Sequence, residues 1–320
     1  MKVSDFFKKN SKAPIISLEF VPPARGSSVE EIFKAVDYLM DFSPQFINVT
    51  NHPSKIEYRE IEGKIVKIPL NKRPGTIGLC AAIKHRYEDV EIIPHLVCAG
   101  HSKYRLEDIL IELNYLGIDN VFAIRGDPSF DGKFAADQEG WQYAKDLVKQ
   151  ISNMNQGIYL YPIENAVSTD FCIGVAGYPE KHYEALNIHD NIQHLKEKVE
   201  AGADYIITQM FFDFDVYKRF VELARENGIE VPIIPGIKPI VNMRSVRKIP
   251  KKFFVDIPQK LVSAMESAKT PKEEWEMGIS YMAELVNKLL DYGVPGIHIF
   301  TMGRGKSTRA LLEAVFGRKK

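Results

Sequence analysis

"NYLGIDNVFAI", residues 114–124, decides how this chain is read. An amphipathic stretch stops at Gly117, and a short apolar run begins a few residues later. Glycine adopts the left-handed backbone that closes a helix, and β-branched apolar runs suit strands buried on both faces of a parallel sheet. The same punctuation returns in "VEAGADYIITQ" (199–209), "RENGIEVPIIPGI" (225–237) and "LDYGVPGIHIF" (290–300). Four helix-to-strand junctions of one design imply a repeating unit.

Outward from these junctions the helices are legible. Ser28-Val29-Glu30-Glu31 reads as a capping box, followed by Ile32, Val36, Leu39 and Met40 on one face. Ser102 is placed to cap a helix whose inner stripe is Leu106, Ile109, Leu110 and Leu113, and 214–224 and 279–290 repeat the pattern. Strands are expected at 15–20, 46–50, 92–96, 120–125, 171–176, 205–209, 232–236 and 296–300. Eight strands alternating with helices, with no break in composition, predict an α/β fold: one (β/α)8 TIM barrel occupying residues 1–320 as a single domain. A doubly wound sheet with an extra lobe is the alternative. The long connections 51–76 and 126–140 read as functional loops.

Bulk properties narrow the function classes. Lys plus Arg and Asp plus Glu number 42 each, so no global field draws the protein to nucleic acid or to a membrane surface. No apolar run approaches the roughly 20 residues of a membrane helix, and the start lacks a signal-peptide core. Cys80, Cys98 and Cys172 are scattered, without CxxC spacing, and suit buried thiols in a reducing, cytoplasmic setting. No HExxH or close His/Asp set argues for a metal, and no GxGxxG follows a strand. Gly305-Lys306-Ser307-Thr308 resembles the end of a P-loop, but Phe300 stands where that loop needs its first glycine.

A barrel carries its active site on the C-terminal strand ends. Glu19, Thr50, His95, Arg125-Gly126-Asp127, Tyr178, Gln209 and Arg304 all occupy such positions. A carboxylate at Glu19 is costly in a barrel strand unless it faces the mouth, where its pKa can rise enough for acid catalysis. One acid, aromatic rings and several cationic groups suit an anionic aromatic cofactor or substrate.

At these strand ends the sequence resembles the methylenetetrahydrofolate reductase family. The matching pieces include "SLEFVPP" (17–23), "NVT" (48–50), "IPHLVC" (93–98), "AIRGDP" (123–128), "GVAGYPEKH" (174–182), "ITQMFFD" (207–213), "IPGIKPI" (234–240) and "HIFTMGR" (298–304), in family order. The resemblance implies a flavin-dependent oxidoreductase that holds FAD in a (β/α)8 barrel. Such an enzyme reduces 5,10-methylenetetrahydrofolate to 5-methyltetrahydrofolate with NADH or NADPH, by a ping-pong route, in one-carbon metabolism and methionine synthesis.

Carried over position by position, Glu19 matches the general acid and Asp127 the carboxylate beside the flavin, both also touching substrate. Gln209, Met243 and Arg304 match the substrate wall. The FAD set is Thr50, His52, His95, Arg125, Gly126, Asp127, Tyr143, Ala144, Tyr178, His182, Ala185, His194 and Lys198. Arg125, Lys198 and His182 are expected to hold the pyrophosphate as cations or donors. Asn51-His52, His194, Glu197 and Met243 depart from the residues common in relatives. The implied partners are small molecules, folate and nicotinamide, within a homo-oligomer.

Overall fold

Gly117, Gly202, Gly228 and Gly293 all stand at positive φ, 63°, 123°, 77° and 86°, so each closes the amphipathic stretch before it as the sequence predicts. The computed structural model describes residues 1–8, 14–52, 55–126, 139–302 and 305–317. Its strands are β1 (Ile15–Phe20), β2 (Phe46–Val49), β3 (Lys55–Ile61), β4 (Lys64–Leu70) and β5 (Glu91–Val97). They continue with β6 (Asn120–Ile124), β7 (Cys172–Gly177), β8 (Tyr205–Met210), β9 (Ile233–Ile237) and β10 (Gly296–Phe300). Every strand expected from the sequence forms, its ends moved by a residue at most.

The helices are α1 (Val3–Lys8), α2 (Glu30–Asp37), α3 (Thr76–Arg86), α4 (Lys103–Tyr115), α5 (Ala144–Met154) and α6 (Ile188–Glu200). Then come α7 (Phe214–Glu226), α8 (Met243–Phe253), α9 (Gln259–Ser267), α10 (Pro271–Tyr292) and α11 (Lys306–Phe316). All strands but β3 and β4 pair in parallel into a closed barrel, in the order β1-β10-β9-β8-β7-β6-β5-β2. This is the (β/α)8 architecture; the doubly wound alternative fails because β1 bonds both β2 and β10, leaving no sheet edge.

Side chains alternate along each strand. Leu18, Phe20, Ile47, Val49, Val121, Val175 and Ile299 pack in the large core that includes the helices' inner stripes. Ile15, Phe46, Ile93, Phe122, Cys172, Tyr205 and Ile234 form a second cluster inside the barrel. The second cluster lies toward the N-terminal strand ends, and α1 covers it from below. Val3 is fully buried there, and its N–H donates to Asn120 Oδ1 at 2.8 Å. Among the described residues, α1 thus covers the lower end of the barrel, and the C-terminal strand ends are left to form a site.

Two local expectations change. Ser28 Oγ accepts from the Glu30 amide at 3.1 Å, so the turn closes one residue earlier than a capping box on Glu31 requires. Ser102 does cap α4, accepting from the Arg105 amide at 3.2 Å. The connection 51–76 holds a hairpin, β3 antiparallel to β4, turning at Glu62 and Gly63 with φ of 51° and 74°. Two successive positive φ values are what a two-residue hairpin turn of matched twist demands. Gly305 opens α11, and Arg309 of that helix donates to the Tyr38 carbonyl at 2.6 Å, so the "GKST" stretch is a packed helix start. The three cysteines are buried free thiols. Among the described residues no helix is long and apolar enough to cross a membrane.

Candidate functional site

The period of two that sends Ile15 and Phe46 inward also sends Ser17, Glu19 and Asn48 inward, nearer the top. Asn48 pairs with Ile93, so His95 follows inward on β5; Ser17 pairs with His298, which does the same on β10. The interior thus changes from apolar to polar as it rises. Ser17, Asn48, His95 and His298 are all at most 5% exposed.

Glu19 is the centre of this floor. Its Oε2 lies 3.6 Å from His95 Nε2 and 3.7 Å from His298 Nε2. Asn48 Nδ2 is 3.1 Å from His95 Nε2, and Ser17 Oγ is 2.9 Å from His298 Nδ1. Asn48 Oδ1 and His298 Nε2 are buried without a hydrogen-bond partner among the described residues. Buried polar atoms are normally satisfied, so an orphaned pair on a barrel floor points to a ligand above it.

Burial pushes the Glu19 carboxyl up, but contact with His298 and the imidazoles of His95 and His52 pull it further down, below the ordinary carboxylate value. The sequence argument expected a raised pKa at this position. The direction is reversed because the carboxyl is ringed by basic groups that lie far away in the chain. Burial itself lowers His95 to about 4, with Glu19 offsetting part of the shift. An imidazole at that value is neutral near pH 7, so His95 then offers Glu19 a dipole and not a full charge. The two directions conflict only if His95 is counted as a cation.

A group that is cationic at pH 7 does stand nearby. Lys238, just past β9, donates from Nζ to the Phe300 carbonyl at 3.3 Å, and Phe300 is the register partner of Glu19. Burial lowers the ammonium to about 8, and Glu19 pulls it back upward. Gln209 follows the inward parity of Ile207, while its own Oε1 accepts from the Met210 amide at 2.9 Å.

A cavity of about 500 Å³ opens beside the floor, between the C-terminal ends of β6 and β7, the first turn of α5 and one face of α6. Its wall combines small apolar groups, Ala123, Ala176, Gly177 and Ala185, with Arg125, Tyr178, His182 and Lys198. Lys198 donates to the Ala176 carbonyl and lies 5.9 Å from the Tyr178 ring. No carboxylate pairs with it among the described residues, and burial lowers it to about 8. Tyr143 sits at the N-cap of α5 without a capping side-chain bond, and the first turn of that helix, which carries Asp146, borders the cavity.

Arg125 pairs with Glu184 and donates from Nε to the Gln142 carbonyl at 3.0 Å; Glu197 is held by Lys145 at 3.0 Å. An unpaired buried ammonium, a guanidinium, a helix N-terminus and an aromatic face fit the diphosphate and flat rings of FAD. The residues present match that group.

The expected cofactor residues separate into two places. Arg125, Tyr143, Ala144, Tyr178, His182, Ala185, His194 and Lys198 line the cavity. Thr50, His52 and His95 belong to the floor around Glu19, with Thr50 Oγ1 at 3.2 Å from His52 Nε2. Gly126 stands at φ 96°, where a Cβ would lie 2.4 Å from Val97 Cγ1, so packing as well as conformation demands glycine. Burial lowers His182 to about 4, so of the two roles expected of it, cation or donor, a neutral imidazole near pH 7 leaves the donor.

Met243 opens α8, its amide donating to Glu274 Oε2 at 3.2 Å and its side chain packing on the outer core. Asp127 and Arg304 lie outside the described residues. Ser17, Asn48, Lys238 and His298 were missed by reading only the strand tips; the inward parity of "FINVT" and "GIHIF" was the signal that exposes two of them.

The pattern of the family described as methylenetetrahydrofolate reductase matches residues 4–315. "Methylenetetrahydrofolate reductase 1" of Schizosaccharomyces pombe is 31% identical over 299 residues, covering 93% of this chain and 45% of that protein. "5,10-methylenetetrahydrofolate reductase" of Pectobacterium carotovorum is 30% identical over 300 residues, covering 92% of this chain and 88% of its own length. This chain spans about half the length of the eukaryotic relatives it matches. A solved Clostridium thermocellum protein, described as binding two copies of 5-methyl-5,6,7,8-tetrahydrofolic acid, superposes with a TM-score of 0.57. It is 15% identical over 98% of both chains, a likeness of fold. The chain belongs to the methylenetetrahydrofolate reductase family.

Proposed function

We propose that this protein reduces 5,10-methylenetetrahydrofolate to 5-methyltetrahydrofolate, taking a hydride from NADH or NADPH by way of FAD in two alternating half-reactions. Family membership supports the reaction class. The observation that carries the reading is the floor itself, where the Glu19 carboxyl lies 3.6 and 3.7 Å from two imidazoles at the C-terminal end of the barrel. FAD, held in the adjoining cavity, supplies the two-electron store that accepts a hydride from the nicotinamide and yields it to the folate.

Lys198, Arg125 and the first turn of α5 hold the diphosphate; Tyr178 and the small apolar wall of β6 and β7 exclude water around the rings. Glu19 delivers a proton to the folate so that its five-membered ring opens and the resulting iminium carbon can accept hydride. In the free protein the net pull on Glu19 is downward. A ligand covering the floor strips water from the carboxyl and favours its neutral, proton-bearing form. Gln209 is the inward-facing polar partner for the pterin. Asp127 and Arg304 join the site on the strength of the resemblance.

The test separates the half-reactions. Glu19→Gln keeps bound flavin and its bleaching by nicotinamide under anaerobic mixing, while folate reduction falls by about 10²–10⁴-fold, the usual worth of a positioned acid. Folate turnover within a few-fold of the unaltered protein would remove Glu19 from the role of acid. A purified protein that carries no yellow chromophore and takes up no FAD would sink the whole reading.

A further inference from the structure

Lys238 stands out among the groups that the reaction above leaves without a task. It follows β9 at its C-terminal end, two positions beyond Gly236, which pairs with inward-facing His298. Its ammonium is drawn over the floor by the Phe300 carbonyl, 3.3 Å away, and Phe300 stands beside Glu19 in the register. A lysine stem long enough to reach solvent instead turns inward. No carboxylate forms an ion pair with it among the described residues, and Glu19 is the acid whose field reaches it.

Among the described titratable groups, His298 from β10, His95 from β5 and His52 beyond β2 act on Glu19 most strongly. Lys238 beyond β9, inward by strand parity, feels the Glu19 charge from farther off. With His95 neutral near pH 7, Lys238 is a full positive charge in that ring at neutral pH.

We propose that Lys238 is a positioning residue for the acid step: its ammonium, anchored on the Phe300 carbonyl, faces Glu19 across the floor and sets the pH at which that carboxyl holds its proton. The proposal rests on the reading that Glu19 supplies the proton to folate. An opposite charge in the same poorly solvated floor favours the ionised carboxylate, so Lys238 confines the acid form to lower pH than the imidazoles alone would. That arrangement has a use. A carboxyl that sheds its proton readily gives it up to the folate nitrogen readily.

The experiment uses FAD-loaded enzyme, reduced anaerobically by nicotinamide and mixed rapidly with methylenetetrahydrofolate over a range of pH. The rate of flavin reoxidation falls as pH rises through the Glu19 pKa, because the acid form disappears. In Lys238→Met that falling limb moves to higher pH by on the order of one unit, so reoxidation above the original limb becomes faster. Lys238→Arg keeps the charge and keeps the limb in place. Flavin content and absorbance spectrum of each variant report that it is folded.

If Lys238→Met slows reoxidation equally at every pH with the limb unmoved, Lys238 only packs the barrel and the proposal is overturned. Glu19→Gln distinguishes the two layers of the argument. Loss of the limb in that variant assigns it to Glu19; its persistence would refute the acid assignment and the role of Lys238 with it.

Discussion

Lys198 shows how much a single side chain reveals about what its protein holds. A buried ammonium with no carboxylate partner among the described residues destabilises the flavin-free protein, and its downward shift to about 8 expresses that cost. The folded state therefore binds fewer protons than the unfolded state between about 8 and the ordinary lysine value of 10.5. By linkage, stability of the flavin-free protein rises with pH across that window. A bound diphosphate reverses the preference by favouring the charged form. Lys198→Met is accordingly expected to leave the flavin-free protein as stable as before, or more so, while weakening FAD binding by roughly 10-fold or more. Thermal melts without flavin and a fluorescence titration with FAD measure the two effects. In the unaltered protein FAD affinity also falls as pH rises through about 8; a flat affinity across that range would take Lys198 out of the diphosphate site.

At the scale of elements, neighbouring strands are matched by the size of what they bury. Tyr205 fills the barrel interior from β8, and Gly174 on β7 is its register partner. A Cβ at Gly174 would sit 2.3 Å from the Tyr205 ring, closer than real contacts allow. Gly174→Ala must therefore displace a fully buried aromatic ring and costs about 1–3 kcal/mol or more. Chemical denaturation measures it, and Gly174→Ala combined with Tyr205→Leu should recover part of the loss. A neutral single substitution would show that the interior has slack. The β3–β4 hairpin teaches a different lesson. Alternation and an Glu62-Gly63 turn were both present in the chain, but the segment stood inside an expected loop, and its strands join no barrel neighbour.

For the molecule as a whole, acid is the hazard. Burial lowers His95 and His182 from 6.5 to about 4, so the unfolded chain binds protons at both sites before the folded one does. Folding stability then declines as pH falls from 6.5 toward 4, by as much as about 1.4 kcal/mol per pH unit for each histidine. Denaturation midpoints taken through that interval should show the decline, and His182→Gln should make it shallower. An unchanged slope in that variant would mean that His182 is not neutral in the folded protein.

The barrel was legible in the chain because its signals are local. A glycine that must take positive φ, an apolar run of strand length and a helical stripe each act within a few residues, and Gly117, Gly202, Gly228 and Gly293 behave as that logic requires. Glu19 was legible for the same reason, as a carboxylate in a strand with no outward place for it. Its company was not. Ser17 and His298 touch across 281 positions because barrel closure pairs the first strand with the last. The charge states of Glu19, His95, His182 and Lys238 depend on burial and on neighbours delivered by that closure. Backbone preference is written residue by residue, whereas the electrostatic field on a buried group is a sum over everything the fold brings near it, and only the assembled barrel contains that sum.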